Sequence, residues 1–510
     1  MNTEKRLLLA LVLSFIVLAV WSNFTVKPKE KAVLLPQNNT QNTVNSDKIE
    51  LKSLVNSTQA VAPSAFFEFP QGNKKIIFAE PQGVIKEITF FDYQAHTFPL
   101  KNSLQVGDNG LAFNRQVIDS NRVTYVYNDS EKKIVKSFVF SNSNYDFEFS
   151  LIIENLTPSV LSLRLPVVLG TIDPSLPTDN KAPFHGVTVF DAGKPSYPNF
   201  QKPATFSQIN YLSLRDSYFC AIIEPDKTSS AGFITKSSSK ESEIGLFTPD
   251  LKIVPRGTWE QKFKVYVGPQ DVKTLKAINP DWQSVIYFGK LDLIAQGLLM
   301  LLDIYYRVVH NWGWVIIMLS LTIYLVLYPL TAQQMKSMKE MQALQPKIED
   351  LRKLYKDNAQ RLNKEILELY KSHKVNPFGG CLPMVMQIPI FFALYQVLSR
   401  SIALKGASFL WIKDLSLPDA LFLFPGSFPL VGGKAFNILP ILMAIEMFVQ
   451  QKFSTVNANA AQAEQQKIML VVMPIMFAFL FYGMPSGLVL YWFINSTLTM
   501  LYQLRIAKFK

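Results

Sequence analysis

The sequence predicts a polytopic α-helical membrane protein of six spans, carrying one large all-β sandwich domain on the outer side. Three observations predict it. Long apolar blocks lie near the N-terminus and after residue 310, short runs of period two fill most of the region between them, and a basic loop follows the second block. The chain has 510 residues, 49% of them hydrophobic, so the distribution carries more than the total. Net charge is +12 with no RNA or DNA motif beside it. We therefore assign the basic surplus to cytoplasmic loops and anionic lipid, with no direct nucleic-acid specificity.

Lys5 and Arg6 precede an apolar run over residues 7–21. The following Ser22-Asn23-Phe24-Thr25-Val26 offers no small-x-small cleavage site, so residues 1–26 read as an uncleaved signal anchor with its N-terminus inside. Lys27, Lys29 and Lys31 dilute the charge bias, and the orientation leans on the later spans as well. Residues 27–60, rich in Asn, Gln, Ser, Thr and Lys, form a solvated linker. From 61 to 278 apolar and polar positions alternate, as in Val84-Ile85-Lys86-Glu87-Ile88 and Ile134-Val135-Lys136-Ser137-Phe138. Turn residues at Pro70-Gln71-Gly72-Asn73 and Ser141-Asn142-Ser143-Asn144 separate the runs, which is the pattern of a sandwich.

No catalytic triad, paired carboxylates or Gly-rich phosphate loop stands out, so the reading is not an enzyme and no cofactor is expected. His96, His185, His310 and His373 are scattered without ligand spacing, and no metal site is expected. The topology puts Cys220 and Cys381 on opposite sides of the membrane, as a buried apolar residue and a packing residue at a helix start.

Residues 279–310 read as an amphipathic helix lying in the outer interface. Leu291, Ile294, Leu298, Leu301, Leu302 and Tyr305 repeat at helical spacing, but Lys290, Asp292, Asp303 and Arg307 are too frequent for a span. Residues 311–510 hold five blocks near the length that a hydrocarbon core of roughly 30 Å demands, at 312–332, 378–402, 435–451, 468–484 and 487–506. With the anchor they make six spans, which returns the C-terminus to the cytoplasmic side. Between the first two lies the basic segment 333–376. Met338, Met341, Leu344, Ile348, Leu351 and Tyr355 make one helical stripe, and Leu362, Ile366, Leu369 and Tyr370 another. Asp357-Asn358 suits the turn of an antiparallel hairpin, and Pro346 is expected to kink its first arm. The two helices either pack only on each other or present a docking surface for a ribosome, a targeting receptor or anionic lipid.

The C-terminal region resembles the YidC insertases. The resemblance rests on Tyr328-Pro329-Leu330-Thr331, Leu344-Gln345-Pro346-Lys347-Ile348, Asn376-Pro377-Phe378-Gly379-Gly380-Cys381-Leu382-Pro383, Gln387-Ile388-Pro389-Ile390-Phe391, Leu439-Pro440-Ile441-Leu442-Met443 and Pro485-Ser486-Gly487-Leu488-Val489-Leu490-Tyr491-Trp492. One anchor followed by a large sandwich resembles the Gram-negative members, with the sandwich in the periplasm of an inner-membrane protein. The resemblance implies a chaperone that inserts and helps fold nascent membrane proteins, alone or with the Sec translocon. It also implies a five-helix core around a hydrophilic groove that is open to cytoplasm and lipid and sealed outside.

Polar residues that suit such a groove are Ser320 and Tyr324, Gln387, and Tyr491 and Asn495 with Trp492 beside them. Each could equally glue helices together. Glu446 is an intramembrane acid, either in the groove or hydrated near the inner interface, since Lys452 follows closely. Tyr324 stands four residues before Tyr328-Pro329-Leu330, where the family usually bears an arginine, so attraction of acidic substrate tails is expected to be weak. Two rivals compete. A transporter predicts inverted repeats and a midplane ion site, and no repeat is seen. A membrane-anchored carbohydrate-binding or carbohydrate-modifying protein would work through its sandwich.

Overall fold

The computed structural model describes residues 65–107, 110–141, 145–174, 184–226, 230–238, 240–355, 358–373, 375, 382–423, 435–454 and 460–508. The signal anchor, the polar linker, Cys381 and the turn at 142–144 lie outside the described residues.

Alternation becomes a two-layer β domain. Strands β1 (Ala65–Gln71), β2 (Lys74–Glu80), β3 (Val84–Phe90) and β4 (His96–Ser103) form one antiparallel sheet in sequence order. The larger sheet is built on β5 (Arg122–Asn128), β6 (Lys132–Phe140), β7 (Asp146–Asn155), β8 (Pro166–Ile172), β9 (Gly186–Asp191), β10 (Ala204–Arg215), β11 (Phe219–Pro225), β12 (Ser230–Lys236), β13 (Ser242–Phe247) and β14 (Thr258–Pro269). Its order is β8-β13-β12-β10-β11-β14-β7-β6-β5, and β9 pairs off the side of β10. Along β6 every second residue from Ile134 to Phe140 is buried, which is the period that places one face on a core. Phe78 of the small sheet meets Phe138 of the large one edge-on at 5.2 Å, and Phe69 meets Phe140 at 5.5 Å. Such pairs tie the two layers into one sandwich.

Helix α1 (Val272–Ile278) is capped by Asp271, whose carboxylate accepts from Thr274 N. The expected helix over 279–310 is shorter than its apolar pattern. Two 3-10 turns, Pro280–Val285 and Gly289–Leu291, come first, and α2 (Asp292–Val309) begins only after Gly289, which sits at φ +70°. Helix α2 buries Ala295, Leu298 and Leu302 and exposes Leu293 (88%) and Val308 (73%).

The rest is helical: α3 (Trp312–Leu354), α4 (Ala359–Ser372), α5 (Leu382–Arg400), α6 (Leu439–Ser454), α7 (Ala460–Phe481) and α8 (Ser486–Lys508). Among the described residues only α3, with 43 residues, is long and apolar enough to cross a membrane; residues 470–481 form a shorter apolar helix. The first arm of the basic hairpin is not a separate helix. It continues α3 through Pro329 and Pro346, and α4 returns beside it on Leu344, Ile348 and Val375. Helix α3 packs on α8, α6 on α7 and α8, and α2 on α3 and α5. A second hydrophobic cluster runs from the back of the sandwich (Tyr211, Cys220, Tyr266) through Trp282 and α2 into Val315, Leu394, Met443 and Leu488 of the bundle. Sandwich and bundle thus share one core.

Candidate functional site: the helical bundle

Packing in the bundle is graded along its axis. At one end Val315, Ile316 and Leu319 of α3, Leu394, Val397 and Leu398 of α5, Leu439 and Met443 of α6, and Leu488 to Tyr491 of α8 are all buried. The segment 401–421 closes that end. Ser486 N donates to Leu417 O, Gly487 N to Leu415 O and Ser486 Oγ to Asp414 O. Buried Asp419 accepts from Ile438 N and Leu439 N, satisfying donors that a helix start leaves open. Gly313 lets the Phe409 ring lie against the start of α3, because a Cβ there would stand 2.0 Å from Phe409 Cγ. Toward the other end burial falls away. Leu325, Val326 and Tyr328 of α3, Met386 and Ile388 of α5, and Val471, Val472 and Ile475 of α7 are exposed, and α8 beyond Tyr491 is only half-buried.

The singled-out residues sit across this gradient. Gln387 Nε2 donates to Tyr491 Oη, joining α5 to α8 at the border between the tight and the loose halves. Tyr491 is fully buried. Ser320 is fully buried too, and its hydroxyl donates to Ile316 O at 2.7 Å on its own helix. Tyr324 stands over Tyr328 at 6.4 Å, and Tyr328 meets Tyr502 at 5.2 Å, so a file of phenols links α3 to α8 at the loose end. Trp492 turns away into an aromatic cluster with Phe391 (5.5 Å), Phe477 (5.7 Å) and Phe481 (5.4 Å). Asn495 is half-buried one turn further along. The Glu446 carboxylate is buried on α6 and faces the Ser496 hydroxyl of α8.

Sequence reasoning passed over Gln450. It follows Glu446 by four residues, sharing its face of α6, and accepts from Ser496 Oγ at 3.5 Å. That i,i+4 spacing was the available signal. It also passed over Thr322, whose hydroxyl meets Tyr305 Oη at 2.6 Å and ties α2 to α3. Among the described residues no group of His, Cys, Asp and Glu has a metal-binding arrangement.

Residues 304–510 match the family described as 60Kd inner membrane protein, and residues 111–301 match the YidC periplasmic domain. A periplasmic domain followed by an inner-membrane core is thus the class of protein that the fold and the matches define. The membrane protein insertase YidC of Janthinobacterium sp. (strain Marseille) is 33% identical over 74% of this chain and 68% of its own. That of Pelobacter propionicus is 30% identical over 99% of both. A solved structure of an active YidC insertase with its first transmembrane domain resolved is 23% identical, with a TM-score of 0.42, covering 87% of this chain and 93% of that one. The chain belongs to the YidC family of membrane protein insertases.

Proposed function

We propose that the chain inserts nascent proteins into the inner membrane, alone or beside the Sec translocon, through a half-depth polar groove in its bundle. The groove would be sealed on the periplasmic side by the 401–421 segment and open to cytoplasm and lipid, with Tyr324, Gln387 and Asn495 as its candidate lining and buried Tyr491 at its floor, whereas Ser320, fully buried with its hydroxyl on Ile316 O, fits packing. The observation that carries this reading is the packing gradient: side chains of α3, α5 and α8 interlock at one end of the bundle and part at the other. Each unsatisfied polar group taken into hydrocarbon costs several kcal/mol, so a wet notch reaching part-way shortens the dry path of a substrate's polar flank. No stored energy source is needed for that step.

On this reading α3 and α5 to α8 cross the bilayer, the N-terminal anchor read from the sequence makes six spans, both termini face the cytoplasm, and α2 lies in the outer interface. Continuity of α3 with the hairpin arm would carry a docking event at the basic tip straight into the groove wall. Of the candidate residues, Trp492 fits packing better than lining, because three aromatic rings surround it. Reconstitution of the purified protein in liposomes with a small single-span substrate tests the proposal. Protease-protected insertion without Sec components is expected, and its absence would reduce the protein to an assistant of another insertase.

A further inference from the structure

Where the sandwich meets the bundle, a cavity of about 280 Å³ lies between α1, α2, residues 286–288 and the last turn of α5. Leu299, Leu302, Val397 and Ile402 give it an apolar wall, and Arg215 and Arg400 give it a basic one. Arg215, on β10, is only 4% exposed. Its Nη1 donates to Val285 O, and its Nε is buried with no acceptor. Arg400 lies with its guanidinium 3.5 Å over the Phe184 ring and makes one long bond, 3.4 Å, to Tyr287 O. Arg215 faces the same ring at 5.2 Å.

Among the described residues neither guanidinium has an ion-pair partner, although acids are near. Asp271 and Asp303 also line the cavity but are engaged, Asp271 capping α1 and Asp303 holding Lys273 at 2.6 Å and Arg307 at 2.8 Å, and Asp292, whose charge Arg215 feels, accepts from Phe288 N. Burial pulls the Arg215 guanidinium down to about 10, which leaves it charged at neutral pH. A buried arginine beside a half-buried one costs several kcal/mol, and a shared aromatic face returns about 1–2 of it. A bound anion would offset the remainder. Tyr287, Tyr306 and Trp312 edge the cavity, the residue types that settle at headgroup level.

We propose that this cavity holds the phosphate of an outer-leaflet phospholipid between Arg215 and Arg400, with the adjoining carbons against the apolar wall. The planar forks of the two arginines suit phosphate oxygens. The proposal rests on the membrane topology proposed above. The test is native mass spectrometry of the full chain, delipidated and then offered phosphatidylglycerol, a phosphate-free diglycosyl diacylglycerol, or excess inorganic phosphate. Wild type should retain one phosphatidylglycerol and not the glycolipid.

Arg400→Gln should weaken retention about tenfold, as expected for loss of a charge-assisted pair, while Arg400→Lys falls between and Lys276→Gln, outside the cavity, changes nothing. Should Arg400→Gln fail to fold, Arg400→Lys against wild type decides. Equal retention by wild type and variants, or of the glycolipid, overturns the proposal. Displacement of the lipid by inorganic phosphate would assign the cavity to a soluble phosphate and overturn the lipid reading. Retention is read without substrate, so its failure leaves the insertion reading standing, and the reverse holds too.

Discussion

At the scale of single residues, Tyr324 sets the charge of the proposed groove. A phenol donates a hydrogen bond but stays neutral at pH 7, so wild type should insert substrates with acidic and with neutralised tails almost equally. Tyr324→Arg should favour the acidic tail by about threefold, the order expected for a half-solvated charge pair, read as the ratio of protease-protected products in liposomes. An unchanged ratio would place Tyr324 outside the substrate's path.

Lys74 makes a second residue-scale prediction. Burial lowers its ammonium to about 8, partly opposed by Asp146. The unfolded chain therefore keeps the proton to higher pH than the folded one, and stability should rise as pH climbs from about 8 toward 10.5, by up to about 3 kcal/mol. Lys74→Met should flatten this rise in thermal unfolding of the full chain at pH 7.5 to 9.5. The sequence marked neither this lysine nor Lys136, which is fully buried and satisfied by the carbonyls of Gln82 and Gly83. Both sit in strands whose other lysines face water, and only the folded sheet tells them apart.

At the scale of elements, strands were legible where one face is wet, as in β6, because burial then writes period two into the residues. The boundaries of α2 and α3 were not. Apolar spacing over 286–291 fits a helix as well as the 3-10 turn that forms at Gly289–Leu291, and the left-handed backbone at Gly289 decides between them. The 401–421 segment carries no periodicity at all, yet it closes the bundle through Asp414, Asp419 and Phe409. Its tightest contact gives a prediction. Gly→Ala in a helix ordinarily stabilises by up to about 1 kcal/mol, but at Gly313 the new methyl would overlap the Phe409 ring. Displacing that ring should cost about 1–3 kcal/mol, so Gly313→Ala is expected to lower the thermal midpoint, and Phe409→Ala in the same chain should relieve part of the clash.

At the scale of the whole molecule, the question is whether the sandwich or the bundle does the work. The two share a hydrophobic cluster in which Tyr211, Cys220 and Tyr266 cover Trp282, with Tyr266 and Trp282 ring centroids 5.8 Å apart. Removing residues 65–269 would strip that cover while leaving α1, α2 and the bundle intact. Large buried aromatics contribute about 3–5 kcal/mol each when truncated, so the shortened chain should unfold at a clearly lower temperature. The graded packing of α3, α5 and α8 uses no residue of the deleted strands, and the 401–421 segment would lose its contacts through Ile402 and Lys405 to the sandwich but keep its bonds to the starts of α6 and α8. Insertion by the shortened chain, assayed in liposomes well below its unfolding temperature, should therefore fall by less than about tenfold, a barrier change under roughly 1.4 kcal/mol. Complete loss of insertion by a chain still folded at the assay temperature would move the activity to the sandwich and revive the rival in which that domain, not the bundle, meets the substrate.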